Sequence, residues 1–511
     1  MYINTLKNTL KYVLRFPLAK AITGSAITAI LCMQLGFPWN MSLTLAVFVL
    51  TVILVISEAF SRGTSALIGS SIMLIIMYLS GYDLIEFVSS SIEIETILIL
   101  IGIMLIAAAG FKSGFLYFIG IKLAKISKGD PIRLYVILAI FVYILGYFLN
   151  YETIVAVGVS LAIAICSVMG INPRPYILMT IFVVNIAVST ALISCVPNIV
   201  VAATVKLDYG FFIANLAPIT LVMVLIVFYI THSVMPPSKS VDPLRALAVV
   251  DMNPWLFVRS KLEFAISFAS LAGFILGLLL LRTHGLIIAT VLFAALVLAT
   301  FRRADELLRD IDWDTIIFIM SFYLIVGGVA KLGILNMFAE GLLGLAGSNI
   351  FLLLTVLYWP ALFISGLLED LLYVLLLIPM LSQILLQPGF EIYREFFWIL
   401  LILSCNVGGV MTTYSSPYNL IGLAIAKRAG EEISSKTFHK ISKRAFSIVS
   451  VITYAYLVAL LYFREYIGIG IALAIITMVL VIVHRLVGIS RLLRSIISET
   501  VRILKKRVIK I

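Results

Sequence analysis

Residues 92–96 read Ile-Glu-Ile-Glu-Thr, and residues 311–315 read Ile-Asp-Trp-Asp-Thr, 219 positions later. The same interval separates Gly114 from Gly333. In both places two acidic residues are followed, at the same distance, by a glycine, so we treat this combination as the mark of one structural unit. Its recurrence at one interval predicts that the chain contains two copies of that unit.

Asparagines repeat in the same way further along the chain. Asn185 pairs with Asn406 and Asn198 pairs with Asn419, and the interval is the same for both pairs. The apolar stretches around them are interrupted by Asn, Ser, Thr, Gly or Pro near one end. Such interruptions predict half helices and re-entrant hairpins instead of continuous membrane spans.

The composition identifies a membrane protein that crosses the bilayer many times. Of its 511 residues, 62% are hydrophobic and only 12% are charged, which is too little polar surface for a soluble globule. The net charge of +12 comes mainly from two terminal arms, residues 1–20 and 485–511. Such arms are typical of segments that lie on an anionic cytoplasmic leaflet, and we expect no nucleic-acid partner.

Loop charges predict the orientation of the two copies. With the N-terminus in the cytoplasm, the basic segments 232–261, 301–310 and 427–444 all fall on the cytoplasmic side, and the loop 82–92, without Lys or Arg, faces out. Basic residues follow the first copy, at 112–133, but precede the second. The copies are therefore expected to cross the plasma (cytoplasmic) membrane in opposite senses.

We predict an all-α polytopic membrane protein with two inverted-topology repeats, each containing broken helices and a re-entrant hairpin. This architecture exposes a site at the bilayer midplane alternately to either side. The predicted segments are a basic arm and first transmembrane helix (1–40), a first repeat (41–231), a cytoplasmic linker (232–261), a second repeat (262–463), an extra transmembrane helix (464–484) and a basic amphipathic tail (485–511).

Four motifs, in order and in duplicate, carry a family resemblance. They are Leu-Asn-Tyr-Glu-Thr at 149–153, Leu-Glu-Asp at 368–370, and the hairpins 185–198 and 406–419. Across about residues 40–465 the chain resembles the ion transporter superfamily, in the branch of citrate transporter-like proteins, arsenite permeases, NhaD-type Na+/H+ antiporters and citrate–metal symporters. The resemblance implies the inverted-repeat fold and a transport function.

The first motif departs from the family, which commonly has Leu-Asp-Asn-Val-Thr there, so the coupling ion cannot be copied from relatives. We expect Asn150, Glu152, Glu369 and Asp370 to form the coupling site for H+ or Na+. An ionised carboxylate at the centre of a membrane helix costs about 2.5–3.5 kcal/mol, so each acid needs a partner, a cation or a proton. The alternative role for Glu369 or Asp370 is to cap the following half helix.

The predicted solute ligands are short neutral side chains in the hairpins. The ends of broken helices carry N–H and C=O groups that lipid cannot satisfy, and an N-terminal end suits an anion. Hydrogen bonding between packed helices is the alternative role for any single Ser or Thr. The candidates are Asn185, Ser189, Thr190 and Asn198 in the first hairpin and Asn406, Thr412, Ser415, Ser416 and Asn419 in the second.

The resemblance implies a secondary active transporter of a small anion or metalloid oxyacid, such as arsenite, citrate or a dicarboxylate, coupled to H+ or Na+. The alternative is a Na+/H+ antiporter of NhaD type. A channel or an intramembrane enzyme is less favoured, because the chain has no HExxH, GxSxG or GxxxxGK motif. We expect no metal site and no cofactor; the expected partners are the solute, the lipid bilayer and, since relatives are often dimers, a second copy.

Overall fold

The computed structural model describes residues 17–57, 60–238, 240–280, 283–301, 304–347, 349–367 and 370–462. Over these residues the chain forms 22 α-helices and no strand. The predicted transmembrane helix at 464–484 and the basic tail at 485–511 lie outside the described residues, as does most of the N-terminal arm.

Ten helices form the first repeat, after the separate helix α1 (Pro17–Gln34). They are α2 (Trp39–Ile56), α3 (Arg62–Leu79), α4 (Leu84–Ser91), α5 (Ile94–Lys112), α6 (Phe115–Ile126), α7 (Pro131–Leu145), α8 (Tyr151–Met169), α9 (Arg174–Ala187), α10 (Val196–Val205) and α11 (Tyr209–Val234).

A short linker helix, α12 (Pro243–Asp251), separates these from ten helices that follow in the same order. They are α13 (Lys261–Leu280), α14 (Thr283–Thr300), α15 (Ala304–Arg309), α16 (Trp313–Lys331), α17 (Ile334–Ala346), α18 (Ile350–Leu367), α19 (Asp370–Leu385), α20 (Arg394–Gly408), α21 (Pro417–Arg428) and α22 (Ser435–Tyr462). Each helix of the second set begins at nearly the same interval after its equivalent in the first set, so the duplication seen in the sequence extends over both sets.

Seven of the described helices are long and apolar enough to cross a membrane, judged by length and composition. They are α2, α3, α5, α8, α11, α16 and α22. Shorter apolar helices of 10–17 residues include α9 and α10, which lie where the sequence predicts a half helix or hairpin, and α7, which is shorter than the crossing stretch that the sequence suggests there.

The duplicated glycine fixes the same turn in both repeats. Helix α5 ends at Lys112, and Gly114, the N-cap residue of α6, has φ +80°; Gly333, the N-cap residue of α17, has φ +76° at the equivalent place after α16. Only glycine adopts such a positive φ without a steric penalty from a Cβ atom. The interval between the two glycines therefore marks a repeated backbone conformation.

A break in the helical structure lies at the first predicted motif. Helix α7 ends at Leu145 and α8 begins at Tyr151, so five residues separate the two helices. The backbone N–H of Tyr151 donates to the carbonyl of Ser194 at 2.9 Å, which ties the start of α8 to the first hairpin. In the second repeat α18 ends at Leu367 and α19 begins at Asp370.

The helices pack in reciprocal pairs. Helix α3 packs on α16 of the other repeat, and their equivalents α14 and α5 also pack together; likewise α8 packs on α21, and α19 on α10. Such exchange relates the two copies by an approximate two-fold axis. Together with the opposite flanking charges, this makes them inverted repeats.

The two hairpins lie in the core but are buried to different extents. Every residue from Pro175 to Ala203, which includes α9 after its first residue, the tip and most of α10, is buried. The second hairpin is buried along α20, but its tip is partly accessible, since Tyr414 is 73% exposed. The second tip is therefore approachable from one side of the molecule.

Candidate functional site

Four buried asparagines join the two hairpin tips. Asn185 Nδ2 donates to Asn419 Oδ1 at 2.7 Å, and Asn406 Nδ2 donates to Asn198 Oδ1 at 3.1 Å. The two bonds are equivalent, because Asn185 of the first repeat corresponds to Asn406 of the second, and Asn198 corresponds to Asn419. The residues that the sequence pairs at one interval thus meet at the approximate two-fold axis.

The same asparagines also close their own hairpins. Asn198 Nδ2 donates to the carbonyls of Val188 and Ala191 at 2.8 and 2.9 Å, and Asn419 makes the equivalent pair of bonds at 3.0 and 2.9 Å. Their side-chain N–H groups are therefore engaged by protein. Any contact of Asn198 or Asn419 with a solute has to use the side-chain oxygen or follow a rearrangement.

Other buried side-chain atoms at the tips have no hydrogen-bond partner among the described residues. Among them are Asn185 Oδ1, Ser189 Oγ and Ser416 Oγ of the predicted ligands, and Thr413 Oγ1. A buried polar group left unsatisfied costs about 1–3 kcal/mol. A small polar solute or a water bound between the tips would remove this cost.

A helix begins directly after each hairpin tip, and its first turn faces this buried region. Helix α10 follows Cys195 and α21 follows Ser416, and neither of these N-cap residues makes a side-chain capping bond. The first-turn N–H groups of a helix and its dipole favour an anion. Both hairpin tips therefore present positive electrostatic character to a solute at the axis.

The remaining predicted ligands shape the tips. Thr190 Oγ1 donates to the carbonyl of Ala187 in the first hairpin. In the second, Ser415 Oγ donates to the carbonyls of Gly409 and Thr412 at 2.7 and 2.8 Å and accepts from the N–H of Thr412 at 3.1 Å. These hydroxyls hold the turn conformations that place Ser189 and Ser416.

A cavity of about 500 Å³ leads to the second hairpin tip. Glu152, at the start of α8, lines it together with Tyr414 and Ser415 of that tip. Asn150 Nδ2 donates to Glu152 Oε2 at 3.3 Å, so two of the four predicted coupling residues are in contact. Glu369 and the side chain of Asp370 lie outside what the structure describes.

Sequence reasoning missed three charged residues that line the same cavity. Arg62 Nη2 lies 3.7 Å from Asp312 Oδ2, and Arg62 Nε lies 3.9 Å from Asp314 Oδ2. The N–H of Gly63 donates to Asp314 Oδ1 at 3.1 Å. We call Arg62, Gly63, Asp312 and Asp314 the clasp, because they join α3 of the first repeat to α16 of the second.

The clasp gives the cavity an excess of negative charge. Glu152, Asp312 and Asp314 are three carboxylates, and Arg62 is the cation among the described lining residues. The acids of the duplicated stretch at 311–315 were the available signal. Their partner Arg62 lies far earlier in the sequence, where no local pattern predicts the contact.

A second cavity, of about 450 Å³, holds the equivalent acid of the first repeat. Glu93 corresponds to Asp312 and lines this cavity with Lys331, Tyr323 and Pro379 of α19. Burial raises the pKa of Glu93, and the charge of Glu95 adds to the effect. Among the described residues, a cavity therefore lies at the acidic start of each copy.

The sequence profile described as citrate transporter matches residues 52–398, which is more than half of the chain. The chain belongs to the citrate transporter family. It is a membrane transporter that crosses the bilayer several times, and the predicted superfamily is confirmed. The match includes the first hairpin, both broken-helix motifs and the clasp.

Relatives occur in mycobacteria and in Magnetospirillum. A 46 kDa membrane protein of Mycobacterium leprae is 23% identical over 77% of this chain and 92% of its own length. An uncharacterized transporter of Mycobacterium tuberculosis is 24% identical over 82% of this chain and 98% of its own length. The magnetosome protein MamN of Magnetospirillum gryphiswaldense is 25% identical over 62% of this chain and 74% of its own.

The fold is also that of a solved transporter. The crystal structure of the Alcanivorax borkumensis YdaH transporter, described as having an unusual topology, superposes with a TM-score of 0.53. The match covers 76% of this chain and 89% of that one, at 15% identity. At this identity the likeness concerns the fold alone, and it confirms the predicted fold class.

Proposed function

We propose that this chain is a secondary active transporter that carries a small anion or metalloid oxyacid across the plasma membrane, coupled to H+ or Na+. The observation that supports the anionic solute is the meeting of two uncapped helix starts at buried hairpin tips. Ser189, Ser416 and Asn185 add unpaired polar atoms at the same place. A solute with several oxygens would accept from the helix N–H groups and the hydroxyls together.

Glu152 is the proposed coupling residue. It stands at the first turn of α8, in the cavity that reaches the second hairpin tip, and its carboxylate accepts from Asn150. A carboxylate in this position can take up either a proton or Na+, which removes the cost of an isolated charge inside the membrane. Glu369 and Asp370 are proposed to serve the second repeat in the same way.

Under the predicted topology, the cavity beside Glu152 lies on the cytoplasmic side of the membrane. Residues 301–310 are expected in the cytoplasm, and the clasp follows them directly at Asp312. In this proposal the structure is open to the cytoplasm at the second hairpin tip, and the cavity beside Glu93 is the equivalent approach from outside. Transport alternates between these two approaches about the buried tips.

Reconstituted vesicles test the proposal directly. The purified chain is placed in liposomes, and uptake of labelled arsenite, citrate and succinate is followed with and without an imposed pH or Na+ gradient. Accumulation above the external concentration, dependent on the gradient, is expected for one of these solutes. Downhill movement that ignores the gradient would instead indicate a channel.

Two substitutions separate the solute site from the coupling site. Ser416→Ala is expected to weaken solute affinity about ten-fold or more, because a hydrogen bond to a charged group contributes about 1.5–3 kcal/mol. The control is Ser404→Ala in α20. Its hydroxyl donates to the carbonyl of Leu401 in its own helix, at 3.1 Å, and lies 3.5 Å from the hydroxyl of Tyr373.

Glu152→Gln is expected to leave solute binding intact and to abolish the dependence of uptake on pH or Na+. An unchanged dependence in that variant would remove the coupling assignment.

Na+/H+ exchange without an anion is the second candidate function. The excess negative charge of the cavity beside Glu152 favours it, because such a cavity attracts cations and repels anions. A pH-sensitive dye inside the same vesicles distinguishes the two. Na+-driven alkalinisation or acidification with no added anion, and no uptake of any labelled anion, would favour exchange.

A further inference from the structure

An apolar groove lies away from the transport site, between α6, α7 and α13. Its volume is about 420 Å³, and every described residue that lines it has a hydrocarbon or aromatic side chain. Members from each helix include Phe115, Ile119, Leu123, Ile140, Ile144 and Phe268. A groove of this kind offers binding to a hydrocarbon chain and to nothing polar.

The groove opens sideways, toward the surface that the membrane covers. Four of its lining residues are strongly exposed: Ile126 at 61%, Phe268 at 54%, Ile140 at 53% and Ile144 at 48%. In a membrane protein such residues face lipid, not water. The concave shape distinguishes this place from the convex, lipid-facing side of an ordinary helix.

An aromatic cluster carries a cation at one edge of the groove. Phe118 packs against Trp255 and Phe264, with ring centroids 4.7 and 5.2 Å apart, and Phe264 also packs on Phe115 in the groove wall at 5.4 Å. Lys122 Nζ lies 5.0 Å from the centroid of the Phe118 ring. Trp beside Lys is typical of the boundary between hydrocarbon and lipid headgroups.

Two basic residues lie on the helix faces that line the groove. Lys122 lies one turn from both Ile119 and Ile126 on α6, and Arg133 lies one turn before Ile137 on α7. Arg133 has a partner in Asp130, but the separation of 4.0 Å leaves its guanidinium able to bind a second anion. Both cations fall on the predicted cytoplasmic side, where the leaflet is anionic.

We infer that this groove binds one anionic phospholipid, with an acyl chain between α6, α7 and α13 and the phosphate held by Lys122 and Arg133. The hydrocarbon wall accounts for the chain and the two cations account for the headgroup. The position of Trp255 sets the depth of the phosphate. The site is independent of the hairpins and of the solute that they carry.

Native mass spectrometry of the full chain, released from detergent after incubation with phosphatidylglycerol or phosphatidylcholine, tests the inference. One tightly bound phosphatidylglycerol per chain is expected, and phosphatidylcholine is expected to bind more weakly. Lys122→Gln and Arg133→Gln should each weaken phosphatidylglycerol about five-fold, because one basic residue near the surface contributes about 1 kcal/mol. Ile144→Trp should fill the groove and abolish the bound lipid.

Matched variants outside the groove are the controls. Ile75→Trp, at a position 58% exposed on α3, and Lys436→Gln, at an exposed position on α22, should leave the bound lipid unchanged. Equal binding of the two lipids, or equal losses in control and groove variants, would overturn the inference. So would a cross-link that places a second copy of the chain on the groove. Lys122→Gln and Arg133→Gln change surface positions and keep the test valid if Ile144→Trp does not fold.

Discussion

The two repeats share their turns but differ in what covers them. Each repeat has three glycines with positive φ at equivalent turns. In the first repeat all three touch residues 242–259, which we call the strap; in the second repeat none has an atom of a described residue within 4 Å of an added Cβ. The covered glycines are Gly114, Gly129 and Gly170, and the open ones are Gly333, Gly347 and Gly389.

The strap fits the first repeat closely. A Cβ on Gly114 would lie 1.8 Å from the carbonyl oxygen of Phe257, and one on Gly129 would lie 2.5 Å from Cβ of Ala246. Lys125 Nζ also donates to the carbonyl of Met252 at 3.1 Å. In the second repeat glycine is needed for its positive φ alone. In the first repeat it is needed for the positive φ and because the strap leaves no room for a Cβ atom. Within the predicted linker 232–261, the strap therefore packs against the first repeat.

The largest difference is expected between Gly114→Ala and Gly333→Ala. Both place a side chain at positive φ, at a cost of about 1–2 kcal/mol. Only the first also meets backbone atoms, and overpacking adds about 1–3 kcal/mol. The free energy of unfolding, measured by denaturant titration in detergent, should fall further for Gly114→Ala. Equal losses would mean that the strap yields without cost.

The next difference concerns the hairpin tips. Asn198→Ala leaves the carbonyls of Val188 and Ala191 without their donor inside a fully buried tip, at a cost of about 1–3 kcal/mol for each group. Asn419→Ala removes the equivalent bonds, but Thr412 is partly exposed and water can replace one of them. Thermal unfolding should show a larger loss for Asn198→Ala. The reverse order would contradict the difference in burial between the tips.

The sequence predicted what is local or repeated, and missed what joins distant segments. The repeated interval located both glycine turns, and Asn185 and Asn406 marked the hairpins, because these features depend on backbone conformation near the residue itself. The contact of Arg62 with Asp314 and that of Gly114 with Phe257 depend on tertiary packing. No periodicity near Arg62 or Phe257 indicates those partners.

The contact at Gly170 is expected to give a smaller difference. A Cβ there would lie 1.6 Å from Nη1 of Arg245, which is the far end of a flexible and exposed side chain. Gly170→Ala should therefore cost nearly the same as Gly389→Ala, about 1–2 kcal/mol from positive φ alone. Unfolding measurements on the pair check this. A loss as large as that of Gly114→Ala would show that Arg245 is held in place.

The smallest effect is expected at the acidic start of the first copy. Burial, with the charge of Glu95, raises the pKa of Glu93, and Lys206 opposes the shift. The folded chain therefore holds a proton on Glu93 at pH values where the unfolded chain has lost it, so stability falls as the pH rises from the unfolded pKa to the raised pKa of the folded chain. Glu93→Gln should flatten that part of the stability profile, measured by thermal unfolding between pH 4 and pH 8.

Lys206 sets the size of this effect, since its charge favours the ionised carboxylate of Glu93. Lys206→Gln should extend the fall in stability to higher pH, because the opposing charge is gone. The same substitution in the Glu93→Gln background should leave the profile flat. A profile that shifts equally in both backgrounds would assign the pH dependence to a group other than Glu93.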